Sequence, residues 1–99
     1  MSRERLSDNE VEGKLRDLDG WALAGDGLAI SRTFKFASFA QAFGFMAECA
    51  IHADKIDHHP EWSNVYRTVE VKLTTHSAKG LTLLDFDLAA IMDKAASRH

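Results

Sequence analysis

The chain has 99 residues, of which 45% are hydrophobic and 27% charged. That length supports one hydrophobic core, so residues 1–99 read as a single domain, and that composition excludes a disordered chain. Lys and Arg number 12 against 15 Asp and Glu, a formal charge of −3, so no net positive field favours nucleic acid or an anionic membrane surface.

Ser7 followed by Glu10 has the spacing of a capping box, and Leu6 with Val11 adds the apolar pair across it. Val11, Leu15 and Leu18 then share a helical face, which predicts a first helix to about Leu18 with Gly20 just beyond its end. Trp21-Ala22-Leu23 and the alternating Leu28, Ile30, Phe34 and Phe36 flank Ala24-Gly25-Asp26-Gly27, and read as a hairpin. Ser38 and Gln41 start a second helix, from about Phe39 to Ile56. Phe39, Phe43, Met46, Ala47 and Ala50 form one stripe of it, while Phe45 and Cys49 form a second. A helix apolar on two faces in so short a chain predicts a subunit contact.

After that helix, Val65-Tyr66 predicts a short strand, a tight turn follows near Arg67-Thr68, and Val69, Val71 and Leu73 alternate into its partner. Thr82 and Asp85 open a third helix, with Leu81 and Phe86 across the cap and a core stripe of Leu84, Leu88, Ile91, Met92 and Ala95. The predicted order is α-β-β-α-β-β-α. One apolar face per strand predicts an α+β domain, a four-stranded antiparallel sheet with three helices on one face.

Cys49 alone cannot close an intrachain disulfide, and a reduced compartment suits it. The charged stretch from Met1 to Asp8 lacks the apolar run of a signal peptide. The most apolar window, Phe36–Ala53, contains Gln41, Glu48 and His52 and falls short of a bilayer span. The expectation is a soluble cytoplasmic domain with no membrane partner.

Chemistry concentrates in the histidines. His58 and His59 lie in Asp57-His58-His59-Pro60-Glu61-Trp62, and His76 in Thr74-Thr75-His76-Ser77. Pro60 favours an extended His59 and so helps to end the second helix. The His pair therefore occupies a helix-to-strand loop, and His76 follows the next long strand, where a rigid sheet presents reactive groups. Asp54, one helical turn before His58, is placed to orient that ring. Imidazole titrates near working pH, which suits acid–base catalysis, whereas adjacent histidines are often only a polar loop. His52 and His99 read as solvated surface. Three imidazoles with Asp54 or Asp85 present the ligand types of a zinc site, but no H-E-x-x-H spacing is present and neighbouring residues on an extended chain point apart, so no metal is assigned. Cys49, inside the second helix, reads as a small core hydrophobe rather than a nucleophile.

The series Asp54-x₃-His58-His59-Pro60-x₅-Tyr66-x₉-His76-x₈-Asp85 resembles the signature of the pterin-4a-carbinolamine dehydratases. The text around it, with Trp62, Ser63 and Asn64 and later Gly80-Leu81-Thr82, is similar as well, and the resemblance covers nearly the whole chain. Two positions depart: Asp54 stands where animal members usually have Glu, and Thr74-Thr75 where they have Ser-Thr. The resemblance implies elimination of water from a 4a-hydroxytetrahydropterin to give quinonoid dihydropterin, which serves the recycling of the pterin used by aromatic amino acid hydroxylases. It implies no cofactor and no covalent intermediate. His58, His59 and His76 would surround the 4a carbon with His59 dominant, while Asp57, Thr74, Thr75 and Ser77 would line the pterin. Asp54, Pro60, Trp62, Tyr66 and Asp85 would support them. Family members are homodimers or homotetramers, with the second helix in the tetramer contact of animal members.

A second reading is a partner-binding or assembly module of the same fold. Relatives of that kind typically lose part of the histidine set, which this chain keeps. For Asp85 the capping position after Thr82 favours a structural role, holding the loop from His76 to Gly80 through the helix it starts.

Overall fold

A computed structural model describes residues 3–99; Met1 and Ser2, which open the charged N-terminal stretch, lie outside the described residues. The elements are α1 (Asp8–Leu15), β1 (Ala22–Leu23), β2 (Ile30–Lys35), α2 (Phe39–Ile56), β3 (Glu61–Val65), β4 (Thr68–Leu73), a 3-10 turn (His76–Ala78) and α3 (Leu83–Ala96). The strands form one antiparallel sheet in the order β1-β2-β4-β3. The fold is therefore α+β, with the three helices and the four-stranded sheet that the alternation predicts.

Ile30, Phe34, Val69, Val71 and Leu73 enter one core with Phe45 of α2 and Leu88 and Met92 of α3. Ser31, Thr33, Glu70 and Lys72 alternate out to the uncovered face. Arg32 interrupts the apolar side of β2, and it is held there. Its Nη1 donates to Asp93 Oδ1 at 2.7 Å, Trp21 Nε1 donates to the same oxygen at 2.8 Å, and its guanidinium lies 4.5 Å from the Phe34 ring centroid. Gly20, at φ +88°, leaves room for that side chain, since a Cβ there would come 3.0 Å from Arg32 Nε.

Several boundaries differ from those the sequence predicts. α1 stops at Leu15 rather than Leu18, with turns closing through the Leu15 and Leu18 carbonyls, although both leucines still pack on the core. In the first hairpin Ala29 is buried and Leu28 only half-buried, because the turn shifts the alternation by one at its start. β3 begins at Glu61, four residues before Val65, and the turn lies at Tyr66-Arg67 because Val65 pairs with Thr68. Tyr66 takes φ +53°, and Asn64 Nδ2 donates to the carbonyls of Tyr66 and Thr68, which closes the turn without a glycine.

α2 carries the largest reversal. Phe45 and Cys49, read above as a second stripe for a subunit contact, are fully buried in the chain's own core together with Ala42 and Ala53. Phe39 and Phe43, from the supposed main stripe, are 50% and 58% exposed and pair with each other at 6.0 Å between ring centroids. The two faces are correctly separated by period but exchanged in assignment, since hydrophobicity alone cannot say which of two apolar faces meets the sheet. Burial pushes the Cys49 thiol up to about 12, consistent with an inert core group.

Candidate active site

The end of α2 is set by Asp57. Its backbone is left-handed (φ 52°, ψ 47°), its N–H bonds back to the carbonyls of Ala53 and Asp54, and the next N–H, of His58, bonds to Ala53 at 3.0 Å. That pattern turns the chain sharply off the helix axis. His58 goes inward, 6% exposed, and His59 stays outside.

The opposite wall comes from the end of β4. Thr75 and Gly80 form an isolated antiparallel bridge, with Thr75 N–H donating to the Gly80 carbonyl at 3.0 Å. This bridge closes the 3-10 turn that begins at His76. Thr74 Oγ1 donates to the Leu28 carbonyl at 2.6 Å and so pins the base of the loop to the first hairpin.

Each of the three imidazoles meets a different carboxylate. His58 Nε2 donates to Asp85 Oδ1 at 2.6 Å, His59 Nε2 to Asp54 Oδ1 at 2.9 Å, and His76 Nε2 to Glu61 Oε2 at 3.2 Å. An Nε2–H given to a carboxylate leaves Nδ1 as the ring's acceptor when neutral and as a second donor when protonated. The pairs differ in setting. His58 and Asp85 are 6% and 0% exposed, His59 and Asp54 60% and 82%, and His76 and Glu61 82% and 50%.

Asp85 has two duties at once. Its Oδ2 accepts the Thr82 N–H at 3.0 Å, the carboxylate arm of the capping box that starts α3, and also the Thr75 hydroxyl at 2.8 Å. Oδ1 remains for His58. The capping role read from the sequence is present, and the same carboxylate holds His58 through its other oxygen, a partner the sequence reading gives to Asp54. A second correction concerns Asp54, which pairs with His59 and not with His58. The left-handed turn at Asp57 carries His58 away from the outer face of α2, which voids the i,i+4 argument for that pair.

Asp57, His58, His59, Thr74, Thr75, His76 and Ser77 all line one cavity of about 270 Å³, and Arg3 completes its lining. A larger concavity of about 610 Å³ lies toward Ser31, Thr33, Glu70 and Lys72 on the uncovered sheet face, with no histidine among its lining residues. Volume alone does not mark the chemistry. Among the described residues no group of three His, Cys, Asp or Glu is arranged to hold a metal ion.

The profile of the family described as pterin 4 alpha carbinolamine dehydratase matches residues 4–95. The chain belongs to that family. A protein of Rhizobium johnstonii, provisionally named a pterin-4-alpha-carbinolamine dehydratase, is 57% identical over 98 residues, 99% of this chain and 97% of its own length. A crystal structure from Brucella melitensis, described as a transcriptional coactivator/pterin dehydratase, matches with a TM-score of 0.91 at 49% identity, covering 94% of this chain and 99% of that one. A pterin dehydratase-like protein described as a RuBisCO assembly factor of the alpha-carboxysome gives a TM-score of 0.68 over 78% of this chain and 89% of its own. At 23% identity that likeness speaks for the fold alone.

Within this dehydratase-family chain, the remaining residues singled out by sequence stand apart from the cavity lining. Pro60 is half-buried in the link from α2 to β3, Trp62 is half-buried on β3 itself, and Tyr66 is exposed at the far hairpin turn with the Arg67 guanidinium 5.7 Å from its ring centroid. Two residues escaped the sequence reading. Glu61 partners His76, and the pairing of Glu61 with Lys72 across β3 and β4 is what brings them together. Arg3 reaches the cavity from the N-terminus, for which the sequence carries no local signal. His99, read as solvated, is instead bound to Glu48 at 2.9 Å, and His52 is half-buried.

No helix of the described residues is long and apolar enough to cross a membrane.

Proposed function

We propose that the protein, through the single domain of residues 1–99, dehydrates a 4a-hydroxytetrahydropterin to the quinonoid dihydropterin. The observation that carries this reading is the convergence of three carboxylate-paired imidazoles, from two separate loops, on one small cavity. Family membership supplies the substrate class. The reaction needs two proton transfers. A protonated imidazole gives its proton to the C4a hydroxyl, which departs as water, and a neutral imidazole takes the N5 proton through its free nitrogen. The N5–H electron pair then becomes the C4a=N5 double bond. The two rings exchange protons with solvent to reset. Groups titrating near working pH suit both steps.

His58, His59 and His76 surround the 4a carbon in this scheme, and Asp57, Thr74, Thr75 and Ser77 contact the pterin. His59 is the dominant group, because it is open to an incoming substrate while His58 is buried against Asp85. The reaction belongs to the recycling of pterin after an aromatic amino acid hydroxylase. The protein acts as a homodimer or homotetramer in the cytoplasm, with the outward face of α2 in the contact.

The test is stopped-flow decay of a 4a-hydroxytetrahydropterin with and without protein. Wild-type protein should accelerate it, and His59→Ala should lose about 10²–10⁴ of the rate, the usual worth of a positioned acid or base. A folded His59→Ala variant at full rate removes His59 from the mechanism. No acceleration by wild type favours the partner-binding reading, to which the Brucella neighbour's description as a coactivator also points.

A further inference from the structure

The segment Arg3–Leu6 touches both walls of the cavity. Arg3 Nη2 donates to the Asp57 carbonyl at 2.5 Å and stands 3.5 Å from Asp57 Oδ2. Two residues on, Arg5 packs on Gly80, where a Cβ would come 2.8 Å from its Nε. The Leu6 N–H donates to the Leu81 carbonyl at 2.8 Å. One anchored wall leads into His58 and His59, and the other follows His76.

Arg3 is more than a tether. It is itself a lining residue of the cavity, and the only lysine or arginine among those lining residues. The peptide it holds joins Asp57 to His58, immediately after a left-handed residue that carries a Cβ. A guanidinium has five N–H donors in one plane, so two contacts with Asp57 leave others for a ligand. The cavity is therefore lined by a cation tethered to Asp57 that has donors to spare for a ligand.

We propose that Arg3 is a substrate-binding residue: held by Asp57, its guanidinium donates to the pterin ring carbonyl next to the reacting carbon. The proposal rests on the pterin reading above and names the group that grips the ring. A ring carbonyl conjugated with the adjoining ring nitrogen, as in an amide, is a strong neutral acceptor, and a charge-assisted bond to it fixes both the depth and the rotation of the bicycle. The histidines are then left to proton transfer.

The experiment uses the full chain and two readouts, binding of the non-reacting 7,8-dihydropterin by fluorescence quenching and turnover of the carbinolamine. Arg3→Ala should weaken dihydropterin binding roughly tenfold, the scale of one charge-assisted hydrogen bond, with the turnover loss falling on KM rather than kcat. Arg3→Lys should recover part of the binding, because an ammonium keeps the charge without the fork. An unchanged melting temperature separates this from a structural effect. Equal dihydropterin affinity in wild type and Arg3→Ala overturns the proposal, whatever the turnover. Arg3-dependent binding in a wild-type protein that does not turn over upholds Arg3 as a ligand group and overturns the dehydratase reading alone. Wild-type protein that does not bind dihydropterin at all overturns both.

Discussion

Two regions of α2 hold a histidine against a carboxylate, and they do different things. At its C-terminal end, Asp54 holds His59 at 2.9 Å beside the cavity. In its middle, Glu48 holds His99 at the same 2.9 Å and also binds Arg98, and neither Glu48 nor His99 lines the cavity described above. The local geometry is alike. In the first region the imidazole stands beside two others, on loops that leave a space between them. In the second, the pair fastens the chain after α3 to α2, and Gly44 makes room for the ring, since a Cβ there would lie 3.1 Å from His99 Nδ1. A histidine–carboxylate pair is thus not itself a site. Convergence on an accessible space is what sets the proposed catalytic pair apart from the fastening pair.

The buried member of the cavity set gives the strongest way to break this contrast. Asp85 carries His58, Thr75 and the Thr82 N–H on two oxygens with no exposure. Asp85→Ala strands the His58 and Thr82 N–H donors inside the protein, leaving the Thr75 hydroxyl only its 2.9 Å contact with the Thr82 hydroxyl, and should destabilise by about 3–5 kcal/mol, the cost of removing one partner of a buried pair. Thr82→Ala, which trims the cap, should cost about 0.5–2 kcal/mol. Asp54→Ala and Glu61→Ala remove exposed partners and should cost about 1 kcal/mol or less. Urea unfolding of the four variants ranks them. If Asp85→Ala falls among the exposed pairs, the buried pair is not the anchor of the site. If it abolishes turnover at full stability while Thr82→Ala is silent, Asp85 acts in catalysis directly.

Along its length α2 also presents Phe39, Phe43 and Ile51 outward, the last 69% exposed. These exposed apolar side chains are the ones the proposed subunit contact would cover. Phe43→Glu should lower the mass measured by light scattering while leaving the circular dichroism spectrum unchanged, because a charge in an apolar contact is left unpaired. Phe45 cannot serve this test, being fully buried in the core. A wild-type protein that is monomeric at high concentration ends the idea of a subunit contact.

What the sequence made legible follows from how far apart the deciding residues lie. Caps such as Ser7-Glu10 and Thr82-Asp85 are local, and both form as their spacing predicts. Period-two alternation in Val69, Val71 and Leu73 decides burial strand by strand, and these three are buried. His58, His59 and His76 were marked out by residue type and loop position, and the fold brings them to one cavity. Partner choice was not legible. Asp54 binds His59 rather than His58 because one left-handed residue, Asp57, redirects the chain, and nothing in its side chain announces φ 52°. Glu61 reaches His76 only through strand register, and Arg3 reaches Asp57 across 54 positions of sequence.

The smallest expected effect sharpens the comparison from the fastening side. Arg98 first, and His99 second, hold the Glu48 carboxyl down at about 2, against an ordinary value of 4.5. A carboxyl lowered in the folded state favours the fold above its unfolded value, and that advantage disappears as pH falls from about 4.5 towards about 2. Glu48 is solvent-accessible, so the effect is modest and weakens with salt. Glu48→Gln should therefore lower the urea midpoint slightly at pH 7, and the gap to wild type should close on acidification and vanish near pH 2. Carbinolamine decay at pH 7 should not change, because Glu48 belongs to the fastening region and not to the cavity. Parallel midpoint curves for the two proteins across that range would show that Arg98 and His99 do not hold the carboxylate in solution. A fall in turnover would mean that the two regions of α2 are coupled, and that fastening the chain end also shapes the cavity.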